Sequence, residues 1–197
     1  MITKIRLQNW KSFKDSTIYI DSLGILIGTN ASGKSNVLDA FAFLRAVGEG
    51  KSLLNAIQTV RGGEDWIIRR GEDSFCIEIE IEIEESSYLL DLRVVKRNSV
   101  FSFGPSEIRR LGIEDDDAVP GEFIDSARNI TWKTYDVPIL LDFWAKIYAT
   151  FRNIIILDPV PAKMRDYCKI SKELKSDGSN VAGVLCALSP EEKKKVE

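Results

Sequence analysis

The chain has 197 residues, 44% of them apolar and 29% charged, with a formal net charge of -3. That is the composition of a globular protein of one domain or slightly more. It contains no histidine, which excludes Ser-His-Asp and Cys-His nucleophilic sites, histidine general bases and His-containing zinc sites. Any chemistry must run on carboxylates, lysine, hydroxyls, or bound phosphate and metal. Cys76, Cys168 and Cys186 form no C-x-x-C pair and leave one thiol over in any disulfide scheme, so a reduced, cytoplasmic setting is expected. No apolar run has the length of a membrane span, and the start of the chain lacks a signal-peptide core. A pI of about 5.3 gives the whole chain no electrostatic footprint for DNA or RNA.

Residues 2–13 and 16–20 are β-rich pieces separated by the polar break Lys14-Asp15, a pattern that predicts a hairpin. Residues 23–27 are almost wholly apolar and end at Gly28, as expected of a strand buried on both faces. Residues 34–47 carry Val37, Leu38, Phe41, Leu44 and Val47 at helical spacing, and residues 52–60 form a shorter helical segment. From Phe75 to Glu84 the alternation is strict: Phe75, Ile77, Ile79, Ile81 and Ile83 share one face, and Glu78, Glu80, Glu82 and Glu84 the other. This predicts a half-buried antiparallel strand whose carboxylates face water. Ser86-Ser87 would turn it into residues 88–96, and residues 100–103 would add a third strand. Further on come an acidic loop at 114–117, an amphipathic helix at 139–151 opened by Pro138, and a second buried-strand run at 154–157. Then follow a helical stretch at 180–188 and the capping pattern Ser189-Pro190-Glu191-Glu192. That last helix begins with full capping chemistry and runs only to Glu197, so the natural polypeptide is expected to continue.

Gly28-Thr29-Asn30-Ala31-Ser32-Gly33-Lys34-Ser35 satisfies G-x-x-x-x-G-K-[ST] at every fixed position, with the predicted strand before it and the helix after it. Backbone amides of residues 31–36 would turn toward phosphate oxygens at a helix N-terminus, where the helix dipole also favours anions. Lys34 would neutralise the β and γ phosphates of ATP, and the Ser35 hydroxyl would be a ligand of Mg²⁺.

Two stretches, Leu7-Gln8-Asn9-Trp10-Lys11-Ser12-Phe13 and the phosphate loop followed by Asn36, resemble the N-terminal half of RecF/SMC-like ATPases with ABC-type heads. In that family the first strand ends in an Asn-Phe-Lys-Ser-Phe-like motif, here with Trp10 at the first aromatic position. The later Ser176-Asp177-Gly178-Ser179-Asn180-Val181-Ala182 resembles an element of single-chain ATPases of this group, several of which act in DNA repair or phage defence. The periodicities predict an α/β fold with a mixed sheet around the P-loop helix and an antiparallel sheet at 75–103, and the resemblance implies a P-loop NTPase with an ABC-type head lobe. It also implies head-to-head homodimerisation, and Lys11, Ser12 and Phe13 near the ribose and adenine, beside Asn30, Ala31, Ser32, Gly33, Lys34, Ser35 and Asn36 on the phosphates.

Hydrolysis in ABC-type heads requires an apolar strand ending in Asp-Glu, a signature element from a second subunit, and usually a switch histidine. Asp158, after the apolar run 154–157, is the nearest metal-site aspartate, but Pro159 stands where the family has its glutamate. Residues 176–179 could pass for a degenerate signature, yet they follow Asp158 where the family order is the reverse, so at most one of these readings holds. Gln58 lies in the region of the family's metal-sensing glutamine and reads as a helix-surface residue. Three functions stay open: the ATP·Mg-binding part of such an ATPase, a self-sufficient P-loop NTPase or phosphotransferase using Asp158, and a non-catalytic nucleotide-binding scaffold.

Overall fold

The structure is a computed structural model that describes residues 1–104, 108–111, 118–119, 121–126, 129–134, 138–165 and 167–194. The acidic stretch at 114–117 lies outside the described residues. The chain divides into two compact units, residues 1–154 and 155–197.

The first unit is built on one antiparallel sheet. Strands β1 (Ile2–Trp10) and β2 (Phe13–Tyr19) form the expected hairpin, but it turns at Lys11-Ser12, with Trp10 opposite Phe13; Lys14 and Asp15, expected to break the strands, lie within β2, where Asp15 stands opposite Gln8. The other edge of β1 pairs with β3 (Ser74–Ile83), and β3 with β4 (Ser86–Arg97). Along β4, β5 (Val100–Phe103) covers one end and β6 (Ile108–Arg110) the other, with β7 (Ala118–Val119) beyond β6. A separate hairpin joins β8 (Gly121–Ser126) to β9 (Asn129–Thr134). The α/β class holds, but every described strand pair is antiparallel. The N-terminal hairpin and the 75–103 strands thus belong to one sheet, and the parallel part of the expected mixed sheet is not among the described residues.

Helices α1 (Lys34–Gly48), α2 (Leu53–Gln58) and α4 (Pro138–Arg152) occur close to where the helical spacing places them; α3 (Gly63–Trp66) is a single added turn. Period-2 alternation puts Ile5, Leu7, Ile77, Ile79, Leu90 and Leu92 on one sheet face, in register across β1, β3 and β4. They join Ala40, Phe43, Leu44 and Val47 of α1 and Trp144, Ile147 and Phe151 of α4 in one buried cluster. Each such large side chain contributes about 1.5–3 kcal/mol by the area it removes from water. At the C-terminal ends of α1 and α4 the backbones nearly touch: a Cβ on Gly48 would stand 2.5 Å from the Arg152 amide nitrogen. Within the same cluster, the rings of Trp10, Phe43 and Phe75 meet edge to face or tilted, with centroids 5.0–5.8 Å apart.

The other sheet face is not simply solvated. The register sets Arg6 opposite Glu78 and Lys4 opposite Glu80, so these carboxylates are ion-paired across strands at 3.9 and 3.6 Å. Arg6 also grips Asp15 with two bonds of 2.7 and 2.9 Å, which hold the Asp15 carboxyl below the usual carboxylate range. Cys76 breaks the sequence reading by being buried on this face, where its thiol donates to Asp91 at 2.7 Å; burial, then that bond, push it far above the ordinary thiol value.

Further expectations fail. Ser86 and Ser87 stand in β4 opposite Ile83 and Glu82, so the turn falls at Glu84-Glu85, both with left-handed backbones. Residues 23–27 form no strand, and Leu23, Ile25 and Ile27 are largely exposed. Both edges of β1 are already taken by β2 and β3, so this run finds no ladder among the described residues. Residues 154–157 likewise form no strand, and Ile155 and Leu157 are exposed.

The second unit is mostly irregular, with a 3-10 turn at Lys163–Arg165 and two short helices, α5 (Val181–Ala187) and α6 (Pro190–Lys193). The expected capping box is present: Ser189 Oγ accepts from the Glu192 amide at 3.3 Å, and Glu192 accepts from the Ser189 amide at 2.8 Å. The Cys168 sulfur accepts from the Gly183 amide at 3.1 Å, and Cys186 is exposed.

Because the thiolate is the reactive form, a disulfide reagent at pH 8 should label Cys186 first and leave Cys76 unmodified until denaturant unfolds the sheet. Mass spectrometry of the labelled peptides checks the order.

Candidate functional site

The phosphate loop runs from Gly28 into α1. Ala31 and Gly33 have left-handed backbones, with φ of 63° and 92°, and the Gly33 carbonyl takes the amides of Asn36 and Val37 at 2.8 and 3.1 Å to start the helix. The amides of Ala31, Gly33, Lys34 and Ser35 donate to no backbone carbonyl among the described residues. Bare amides at a helix N-terminus attract anions. The Lys34 ammonium folds back over the loop and donates to the Gly28 and Thr29 carbonyls, both at 2.7 Å. Ser35, next in the chain, has an exposed side chain. A cation on a long stem, free amides and a hydroxyl at one helix start are a donor set that fits a polyphosphate with its divalent metal.

The strand-end motif grips this same turn. A Cβ on Gly33 would lie 2.7 Å from the Phe13 ring, so the ring forms a floor directly under the glycine. Ser12 Oγ accepts from the Asn36 side chain at 2.7 Å, and the Trp10 indole N-H donates to the Asn36 carbonyl at 2.8 Å. The structure thus brings the hairpin residues 10, 12 and 13 onto residues 33–36. Lys11 turns the other way: its ammonium pairs with Asp39 and donates to the Arg61 carbonyl at 2.8 Å, with a side chain only 9% exposed.

Asp39 and Arg61 are the residues that the sequence reading missed. Asp39 is 4% exposed and binds both Lys11 and, at 2.9 Å, Arg61 Nε. Arg61 Nη2 then donates to the Ser35 carbonyl at 2.7 Å. One signal was available: Asp39 is the sole charged residue between Lys34 and Arg45.

Asp158 belongs to the second unit, where it is exposed and its amide donates to the Ser176 carbonyl at 2.7 Å. Asp177 organises its own turn. Its carboxylate accepts from the Ser179 amide at 3.0 Å and Lys163 at 3.2 Å, and Ser179, then Lys163, bring its pKa down to about 2. Gln58 ends α2 and is exposed. Among the described residues no three acidic or cysteine side chains converge as a metal site, and no helix is long and apolar enough to cross a membrane.

Gly33 carries two constraints at once, a left-handed backbone and the Phe13 ring, whereas Gly50 has a left-handed backbone with open space around it. Gly33→Ala should therefore cost more stability than Gly50→Ala, by about 1–3 kcal/mol, and Phe13→Leu should recover part of the difference. Thermal unfolding of the three variants measures it.

A family model for the AAA ATPase domain matches residues 1–194. The chain is 27% identical over 179 residues to a DNA double-strand break repair Rad50 ATPase of Sulfolobus acidocaldarius, covering 88% of this chain and 17% of that protein. It is 33% identical over 113 residues to the Rad50 ATPase of Thermoplasma volcanium, covering 57% and 11%. It is 24% identical over 111 residues to a DNA replication and repair protein RecF of Bacillus cytotoxicus, covering 56% and 27%. The chain therefore spans less than a third of the length of each of these relatives. With the phosphate loop seated at the start of α1 and the strand-end motif packed onto it, the match over nearly the whole chain means that this protein belongs to the AAA ATPase domain family, on its RecF/SMC-like side.

Proposed function

We propose that the chain is the ATP·Mg²⁺-binding part of a RecF/SMC-like ATPase head of ABC type. The observation that carries this reading is the convergence at the start of α1 of the Lys34 ammonium, the bare amides of Ala31, Gly33, Lys34 and Ser35, and the exposed Ser35 hydroxyl. In this reading residues 30–36 cradle the phosphates and Lys34 exchanges its two loop carbonyls for β and γ oxygens. Ser35 holds Mg²⁺, which when bound neutralises charge between those phosphates. Ser12 and Phe13 border the nucleoside side, with Lys11 anchored beneath them.

Turnover asks for more than binding: a base or orienting group for water, and donors for the charge that develops on the transferred phosphoryl. The chain has no histidine, and Pro159 follows Asp158. We assign turnover to a two-part head closed by dimerisation, with residues 1–197 as its N-terminal part. The exposed apolar run 23–27 supports this, because it has the composition of a strand covered on both faces and no ladder among the described residues. The relatives' names make DNA repair the process we assign; phage defence is the other role within the group.

Calorimetry with ATP and Mg²⁺ tests the site. Lys34→Ala should weaken binding by about 2–4 kcal/mol, roughly 30- to 1,000-fold, while Lys193→Ala in α6 should change it less than about twofold. The same preparation should release phosphate negligibly. Multiple turnover abolished by Asp158→Asn would instead support a self-sufficient P-loop NTPase, and equal effects of the two lysine changes would remove the phosphate-loop assignment.

A further inference from the structure

We propose that Asp39 is a positioning residue for the metal side of this site, holding the Arg61 guanidinium on the Ser35 carbonyl and thereby fixing where the Ser35 hydroxyl points. The proposal rests on the ATP·Mg²⁺ reading above. A carboxylate as buried as Asp39 is tolerated only when paired, and the enclosed ammonium of Lys11 already meets that need. A second cation nevertheless reaches it from a separate turn beyond α2, by an arginine whose side chain is 54% exposed.

Arg61 does something Lys11 does not: with Nε on Asp39 at 2.9 Å and Nη2 on the Ser35 carbonyl at 2.7 Å, one planar group spans one turn of α1 from outside. Ser35 and Asp39 stand four residues apart, hence on the same helix face. The planar fork makes both bonds only while Asp39 fixes its edge. The consequence falls unevenly on the site. Lys34 reaches phosphate on a long flexible stem, and the amides accept an anion over a range of positions. A hydroxyl ligand of Mg²⁺ must sit within a tight octahedral distance. Loosening the Ser35 turn should therefore cost the metal-dependent part of nucleotide binding and spare the rest.

The test is ATP affinity by calorimetry, once in Mg²⁺ and once in EDTA, for the full chain and for Asp39→Asn, Arg61→Gln and the double variant, with folding checked by circular dichroism and thermal unfolding. Supporting residues behind metal ligands are worth about 10- to 100-fold in metal affinity. Each single variant should accordingly lose about tenfold of the Mg²⁺ enhancement, keep its EDTA affinity within about twofold, and combine with the other without further loss. If Asp39→Asn does not fold, Arg61→Gln carries the test, because its side chain is half exposed. Unchanged enhancement in the variants, equal losses in both buffers, or additive losses in the double variant would each overturn the proposal while leaving the nucleotide reading intact. A wild-type chain that binds ATP in neither buffer would overturn both.

Discussion

A carboxylate at Asp39, nearly closed to solvent inside the first turns of a helix, dictates much of what surrounds it. Desolvating that charge costs several kcal/mol unless cations replace the lost water, and they come from two distant places, Lys11 in the β1–β2 turn and Arg61 beyond α2. Meeting the demand ties three segments that are far apart in sequence to one point at the base of the phosphate loop. The loop needs such ties. Several of its amides are left without backbone partners, so its shape must come from its flanks. The Phe13 ring under Gly33, the Trp10 indole on the Asn36 carbonyl and Ser12 on the Asn36 side chain hold the same turn from the strand side.

Why an aromatic belongs at the end of β1 follows from the packing. Trp10 fills the junction with Phe43 and Phe75 and is fully buried, which for an indole demands a partner for its N-H. The Asn36 carbonyl, in the first turn of α1, is that partner. The core and the candidate site are therefore not separable here: one side chain serves the hydrophobic cluster with its rings and the phosphate loop with its nitrogen.

Periodicity made the sheet and the long helices legible. The alternation from Phe75 to Ile83 and the spacing of Val37, Leu44 and Val47 each state locally which face is buried, and β3 and α1 lie close to those bounds; the polar pair Lys14-Asp15 misled, because it stands inside β2 and the hairpin turns at Lys11-Ser12. What periodicity cannot carry is the identity of neighbours. Residues 23–27 and 154–157 read as strands because their composition suits burial on both faces, but a strand also needs flanking ladders, and none is found among the described residues. The glutamates of β3 read as solvated for the same reason: their pairing with Lys4 and Arg6 depends on a register set by residues some seventy positions away. Cys76 escaped the alternation because its partner, Asp91, lies on the next strand. At the site, the loop and its helix were legible as a motif, and Ser12 and Phe13 through resemblance. Asp39 and Arg61 were not, since their role exists only where three segments meet.

Net charge gave the weakest guidance, and the structure shows the reason. Exposed charges separated by more than a Debye length, about 8–10 Å at ordinary salt, are screened from one another, so a total of -3 says little about any one place. The acids of the outer sheet face are matched locally: Asp15 and Glu78 by Arg6, and Glu80 by Lys4. Around the phosphate loop the balance runs the other way. A single carboxylate is shared between Lys11 and Arg61, while Lys34 rests on the Gly28 and Thr29 carbonyls and the Ser32 hydroxyl, all neutral groups. The positive excess at this helix end lies within a chain that is acidic as a whole, so a total of -3 does not weigh against a polyphosphate held there.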